Sequence, residues 1–497
     1  MGFNLCSDPW IPIAGSRERK SLIECFTGPP PFRLSGNAVD KIVISRLLLA
    51  VVHAANRIPD VDAWRALTPE IMAENARVYL EKHRDCFDLY GEKPFLQFPP
   101  LAKGKIKNFY DAEGLENQAV LSGWILTLAR PLSDAEKTVL LLRNSCFARG
   151  GKRFDTDLCL SPGVVKGKTG KAGTLLGKYG FLQAYMLGEN LWETLYLNLL
   201  TESELREINA WPDGVGVPFW EAMPSGEADA RAEKYRNSYQ GTLFPLDKFL
   251  LLQDDGIIAT TGIAYPDYDK GLVDPALTIT NDGKNIRAEW AKTDTRPWRE
   301  LAALLAFLKN DRRIQPYFLS LGMTKLRMLN SKSCAIWVGG VAVSSNSGEQ
   351  SIKGMNDYVE SEFAFPVEFM GDESYETFCG LMEEVDNSAK RLFNYVFKYH
   401  EKMSGEDKAK KKPFSKAQGE RAKSLFWERM EPHAQEIIDL AFAEHFDESA
   451  TNRARAGWFK IQCRVYEESC PRDTPRQLEA WVEFHPGFQS SKKKGDK

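Results

Sequence analysis

Between residues 372 and 402, Phe378, Leu381, Met382, Val385, Ala389, Leu392, Phe393, Val396 and Phe397 recur every three or four positions. That spacing places them on one face of a single long helix. Such a helix draws its stability from packing, so it obliges the chain to supply covering partners. Further helical stretches follow at 417–446 (interrupted by Pro432), at 449–468 (ending before Pro471) and at 475–484. Several helices joined by short loops predict an up-and-down four-helix bundle over 371–484. Its boundary is expected in the Gly/Asp turn near Gly371, and 485–497 is expected to be a flexible basic tail.

The chain before that turn reads differently. A chain of 497 residues is too long for one ordinary core, so residues 1–370 are expected to form a separate body. Helices are expected at 36–57, capped by Ser35 or Asn37, at 68–83, and at 189–200. Another begins at Ser133 with Glu136 three residues later, a capping box, and stops at Gly150-Gly151. From 240 to 350, short apolar stretches such as 249–255 (FLLLQDD) and 334–345 alternate with turns and one helix at 298–309. No βαβ spacing and no repeat is visible, so the fold class is α+β: a mixed body with small sheets, then the helical bundle.

Composition narrows the function classes. With 43% hydrophobic and 27% charged residues and a net charge of −3, the chain is globular and too neutral to coat nucleic acid by bulk charge. Nine scattered cysteines without a C-x-x-C pair fit a reducing cytoplasm. The start, MGFNLCSDPWIPIAG, lacks the order of a signal peptide. The apolar run 42–55 is interrupted by Arg46 and His53, which predicts a core helix and no membrane association.

The catalytic constellations fail one by one. Residues 161–174 (SPGVVKGKTGKAGT) end like a phosphate-binding loop at Gly167-Lys168-Thr169, but the required first glycine falls on Pro162. Proline removes an N–H where the phosphate cradle needs one. The six histidines form no H-E-x-x-H or zinc spacing, and no G-x-S-x-G nucleophile turn occurs. Neither catalysis nor a metal or other cofactor is expected. An NTP-dependent enzyme using 163–171 and a helical protein-binding scaffold remain the alternative readings.

Basic loops survive this elimination. Residues 148–180 hold seven Lys/Arg (Arg149, Lys152, Arg153, Lys166, Lys168, Lys171 and Lys178) against two acids, with eight glycines. Glycines admit close backbone approach, and cations neutralise phosphates. Composition alone fits equally a solvated loop or a nucleic-acid grip. The loop 402–424, with Lys410, Lys411 and Lys412, is more simply a solvated turn between helices. The polar stretch 344–351 (SSNSGEQS) suits either a plain hairpin tip or side chains presented to a duplex.

The order of segments resembles the CasA-type large subunit of the type I-E CRISPR surveillance complex, Cascade. The matching pieces are PWIPI at 9–13, PFLQ at 94–97, Arg149-Gly150-Gly151-Lys152, the stretch 173–201, Trp298, Gly339-Gly340, and the helical segments 420–438 and 449–463. They run collinearly along nearly the whole chain.

The resemblance implies a non-enzymatic subunit. Such a subunit reads the short motif beside the target, the PAM, from the minor groove of double-stranded DNA. It then promotes duplex opening and R-loop formation, and recruits a helicase–nuclease effector. Implied partners are the complex's backbone, small-subunit and guide 5′-end subunits. The family's glycine loop falls on Gly150 and Gly151, flanked by Arg149 and Lys152. Its wedge, a polar tip inserted beneath the PAM, falls on 344–350, with Ser345 in the hairpin and Asn346 and Gln350 as wedge side chains. Its minor-groove lysine finds no lysine within 257–266, and Lys270 is the nearest. Lys166, Lys168, Lys171, Lys410, Lys411 and Lys412 would add phosphate contacts.

Overall fold

A computed structural model describes residues 2–109, 131–151, 158–162, 164, 170–281, 285–309, 316–346, 349–352, 355–404 and 413–489. The chain divides into two compact units. The first comprises Met1–Phe307 with Asp311–Glu362, and the second Leu308–Asn310 with Phe363–Lys497.

In the first unit, helix α1 (Ala38–Ala55) is capped by Asn37 and buried along most of its length. Helices α2 (Pro69–Lys82) and α3 (Asp134–Cys146) pack on α1, and α3 carries the Ser133/Glu136 capping box. Strand β1 (Gln183–Leu187) is fully buried. It is followed by α4 (Leu191–Leu197) and by the antiparallel pair β2 (Lys248–Gln253) and β3 (Gly256–Thr261). Helix α5 (Tyr317–Met328) precedes β4 (Ser333–Val341). The short hairpin β5 (Ser344–Asn346) and β6 (Glu349–Ser351) and the strand β7 (Tyr358–Pro366) follow.

β4 is the middle strand of a three-stranded sheet between β7 and β1, with Tyr185 opposite Trp337. A second small sheet orders Lys107–Asn108, β3 and β2. The α+β expectation thus holds, with small sheets in place of one large parallel one. The helix expected over 298–309 is instead a succession of short pieces: Pro297–Glu300 and Ala306–Lys309 as 3₁₀ turns flanking Leu301–Leu304.

The second unit is helical. The periodic stretch forms α6 (Asp372–Ser404), 33 residues long, which buries Phe378, Leu381, Val385, Ala389, Leu392 and Val396. It packs against α7 (Pro413–Met430), α8 (Ala434–Ala441), α9 (Glu448–Ser469) and α10 (Pro475–Phe484). Bidentate pairing of Arg455 with Glu384, at 2.6 and 2.8 Å, ties α9 to α6. The division between units falls inside β7, ahead of Gly371, because the end of that strand is held by helical residues. Gln435 exchanges two hydrogen bonds with the Ala364 backbone, and Phe365 packs edge-on against Phe442 at 5.4 Å.

The expected tail begins too early. His485 is buried, packs 4.4 Å from the Trp481 ring and leads into the short helix Pro486–Gln489. Residues 490–497 lie outside the described ones. No helix among the described residues is long and apolar enough to cross a membrane.

Candidate nucleic-acid interface

Three segments, the last of them far from the others in sequence, meet beside the C-terminus of α3. The first is the glycine bend. Helix α3 closes with the Phe147 N–H donating to Arg143 O, and the chain then leaves as Ala148–Gly151. The second is the segment 170–178, which runs alongside. Gly151 and Gly170 exchange N–H···O bonds of 2.9 and 3.1 Å, and the Gly173 N–H donates to Ala148 O. The third is the β5–β6 hairpin, where Ser345 lies opposite Gln350 and Asn346 opposite Glu349.

One residue fastens all three. Gln350 Oε1 accepts the Gly150 N–H at 2.9 Å, while the Gln350 backbone N–H donates to Gly150 O at 3.2 Å. Its Nε2 donates to Gly177 O and Lys178 O, each at 2.8 Å. Four hydrogen bonds therefore clasp the hairpin to the bend and to the adjoining segment.

This geometry corrects two expectations. Gln350 does not project as a wedge: it is 4% exposed, and its amide oxygen and nitrogen are both engaged within the chain. Gly150 and Gly151 do not offer bare main chain either, since both are buried and both N–H groups have internal acceptors. The geometry nonetheless favours glycine at both positions. Gly151 has φ +122°, a conformation L side chains rarely adopt, and a Cβ on Gly150 would sit 3.2 Å from Ala172 N. Arg149, expected to flank the bend as a phosphate contact, is buried and engaged within the chain.

The segment 170–178 is held from beneath by β2 and the residue before it. Asp247 accepts from Thr174 N at 2.7 Å and from the Thr174 hydroxyl at 2.5 Å. Burial of the carboxylate raises its pKa to about 6, against the hydrogen bonds from Thr174. The Lys248 ammonium donates to Lys171 O at 2.6 Å.

On the outer side, a cavity of about 290 Å³ is lined by Lys171, Gly173, Lys178, Asp267, Tyr268 and Lys270, among others. Lys171 and Lys270 share Asp267, at 2.9 and 3.2 Å. Partial burial works against the Asp267 charge, but the two lysines outweigh it and hold its pKa below the ordinary value. The structure thus brings together Lys171 and Lys270, which sequence reasoning named separately. Lys152, Lys166, Lys168, Lys410, Lys411 and Lys412 lie outside the described residues, and of Asn346 only the backbone is described.

Among the described residues, no group of three or more His, Cys, Asp or Glu side chains is placed to hold a metal ion.

The family model described as CRISPR-associated protein Cse1 matches residues 4–465. The chain belongs to the Cse1 family. No curated protein matches the sequence. Among solved structures, CasA from Thermus thermophilus is 19% identical and superposes with a TM-score of 0.73, covering 99% of both chains. Cse1 from Thermobifida fusca is 20% identical with a TM-score of 0.72, covering 98% of each. A chain from a structure titled "CRISPR RNA-guided surveillance complex" is 17% identical with a TM-score of 0.69, covering 98% of this chain and 99% of that one. At such identities these likenesses establish the shared Cse1 fold.

Two features of this Cse1 chain had no local signature. Gln350 meets Gly150 across 200 residues, so no spacing rule could pair them. Asp247 looks like an ordinary polar residue before an apolar strand.

Proposed function

We propose that this chain is the non-catalytic large subunit of a cytoplasmic type I-E Cascade, and that it reads the PAM of double-stranded target DNA from the minor groove. Its partners are then the backbone, small-subunit and guide 5′-end subunits of the complex and a separate helicase–nuclease effector. It promotes duplex opening and R-loop formation and needs no cofactor. Membership of the Cse1 family supports the assembly, as does the likeness to a chain of a surveillance complex.

The single observation that carries the reading is the Gln350 clasp, because it makes bend and hairpin one device. The Gly150 N–H now donates to an amide oxygen. The minor groove presents acceptors of the same kind, adenine N3 and thymine O2. A base edge that replaces Gln350 Oε1 takes over the Gly150 N–H, and the side chain is freed only when Nε2 also gives up Gly177 O and Lys178 O. The expected wedge role of Gln350 and the groove contact of Gly150 then belong to the open clasp. Exchanging the Gly150 hydrogen bond for one to a base is nearly balanced, about 1 kcal/mol either way, while Gly177 O and Lys178 O must find new donors for the clasp to open fully. Because the groove code is degenerate there, several related PAMs would be accepted.

The test is Gly150→Asp in the assembled complex, which puts a side chain against Ala172 and a negative charge at the groove. Binding of target duplex should fall roughly ten- to hundredfold, the worth of one good base contact. Binding of complementary single-stranded DNA should stay at the wild-type level. Equal loss on both substrates would overturn the PAM role.

A further inference from the structure

One exposed aromatic stands where the clasp and the lysine cavity meet. Tyr179 is 41% exposed. It follows Lys178, whose carbonyl holds Gln350, and the Tyr179 carbonyl accepts the Val343 N–H at 3.0 Å, just before the hairpin. Its ring is braced from behind. Trp290 meets it edge-on at 5.4 Å and is itself stacked on Phe181 at 4.5 Å, with Tyr268 closing the cluster at 5.2 Å from Trp290. A ring fixed in this way loses little freedom when something stacks on it.

The surroundings are cationic. Lys178 Nζ lies 4.9 Å from the Tyr179 ring centroid, and Lys171 and Lys270 line the neighbouring cavity. Asp267 and Asp269 line it too, and Asp267 already engages two of the lysines. Such exposed ion pairs are weak and exchange readily with another anion. A braced aromatic ring with cations around it is the composition that binds unpaired nucleotides: the ring takes a base face and the ammonium groups take phosphates. A duplex cannot use the ring, because its base faces are already stacked on one another.

We propose that Tyr179, with Lys171, Lys178 and Lys270, forms a binding site for single-stranded DNA, with one unpaired base stacked on the Tyr179 ring. The site rests on the functional reading above, in which a duplex is opened beside the hairpin, and it would hold one strand of the freshly opened segment. The lysine–phosphate contacts make its grip salt-sensitive.

The probe is a short single-stranded DNA carrying 2-aminopurine, added to the full-length chain, with fluorescence quenching as the readout. Wild type and Tyr179→Phe should quench the probe alike. Tyr179→Ala should bind about tenfold more weakly, within the range for loss of one stacked base, and quench little. Lys178→Ala should bind more weakly but keep the quenching at saturation. Equal quenching by Tyr179→Ala and wild type would overturn the site. So would Tyr179→Ala losing co-purifying subunits while keeping the probe, because the ring would then be a protein contact. Target-duplex binding by the assembled wild-type complex is measured alongside. Its failure with probe quenching intact would overturn the PAM reading and leave the single-strand site standing.

Discussion

Two polar networks in the first unit invite comparison, because one is built on a charge and the other on neutral groups alone. In the charged one, Arg46 on α1 is wholly buried and bonds Asp274 Oδ1 at 2.8 Å, Gln183 Oε1 at 2.8 and 3.0 Å, and Thr242 O at 3.3 Å. In the other, Gln350 joins the glycine bend, the segment 170–178 and the hairpin with neutral hydrogen bonds only. The two are linked through Gln183, whose Nε2 donates to Leu175 O. A buried charge deprived of its partner has no favourable alternative, whereas a neutral amide can trade one acceptor for another. The first network therefore acts as foundation, and the second can act as a moving part.

Removing Arg46 should give the largest effect. Arg46→Ala strands the Asp274 carboxylate in the core, and the loss is expected at about 3–5 kcal/mol in denaturant titration. A loss below about 1 kcal/mol would mean that water reaches Asp274, and the contrast between the networks would vanish.

Asp247 is the intermediate case: a buried carboxylate held by Thr174, directly beneath the clasped segment. Its folded pKa of about 6 lies above the ordinary 3.8, so between those values the folded state holds more proton than the unfolded one. Wild-type stability should therefore fall, relative to Asp247→Asn, as pH rises from about 4 to about 6, and stay level above that. Parallel curves for the two proteins across that window would show the carboxylate to be hydrated.

The smallest stability change is expected from the clasp itself. Gln350→Ala should lower stability by about 1–3 kcal/mol, the cost of leaving the buried Gly150 N–H unpaired. Hydrogen exchange at the Gly150 amide should nevertheless accelerate sharply, while the α1 core keeps its protection. Exchange at Gly150 unchanged from wild type would remove Gln350 from its role as fastener.

Legibility in the sequence followed the range of the forces involved. The period of 372–402 emerged as α6, and the Ser133/Glu136 box as the start of α3, because both are set by neighbours within one turn. The strand ending at Asp254-Asp255 likewise emerged as β2 with its turn. Helix α5 went unread: it begins after Pro316 without a side-chain cap and carries Gly322 at mid-length. That glycine makes sense only in three dimensions, since a Cβ there would meet Met186 at 2.4 Å. At the candidate interface, residue types were legible and their exposure was not. Gly150, Gly151, Gln350 and Lys171 were all picked out, yet whether a glycine N–H is bare or bonded depends on a partner two hundred positions away.

That distance also sets a timetable. A ribosome releases the bend long before it has made the residue that secures it, and loop closure over so long a span is slow. Throughout that interval the nascent chain has its α1 helix but an unfastened bend. Any truncation ahead of position 350 would leave the bend without the Gln350 hydrogen bonds.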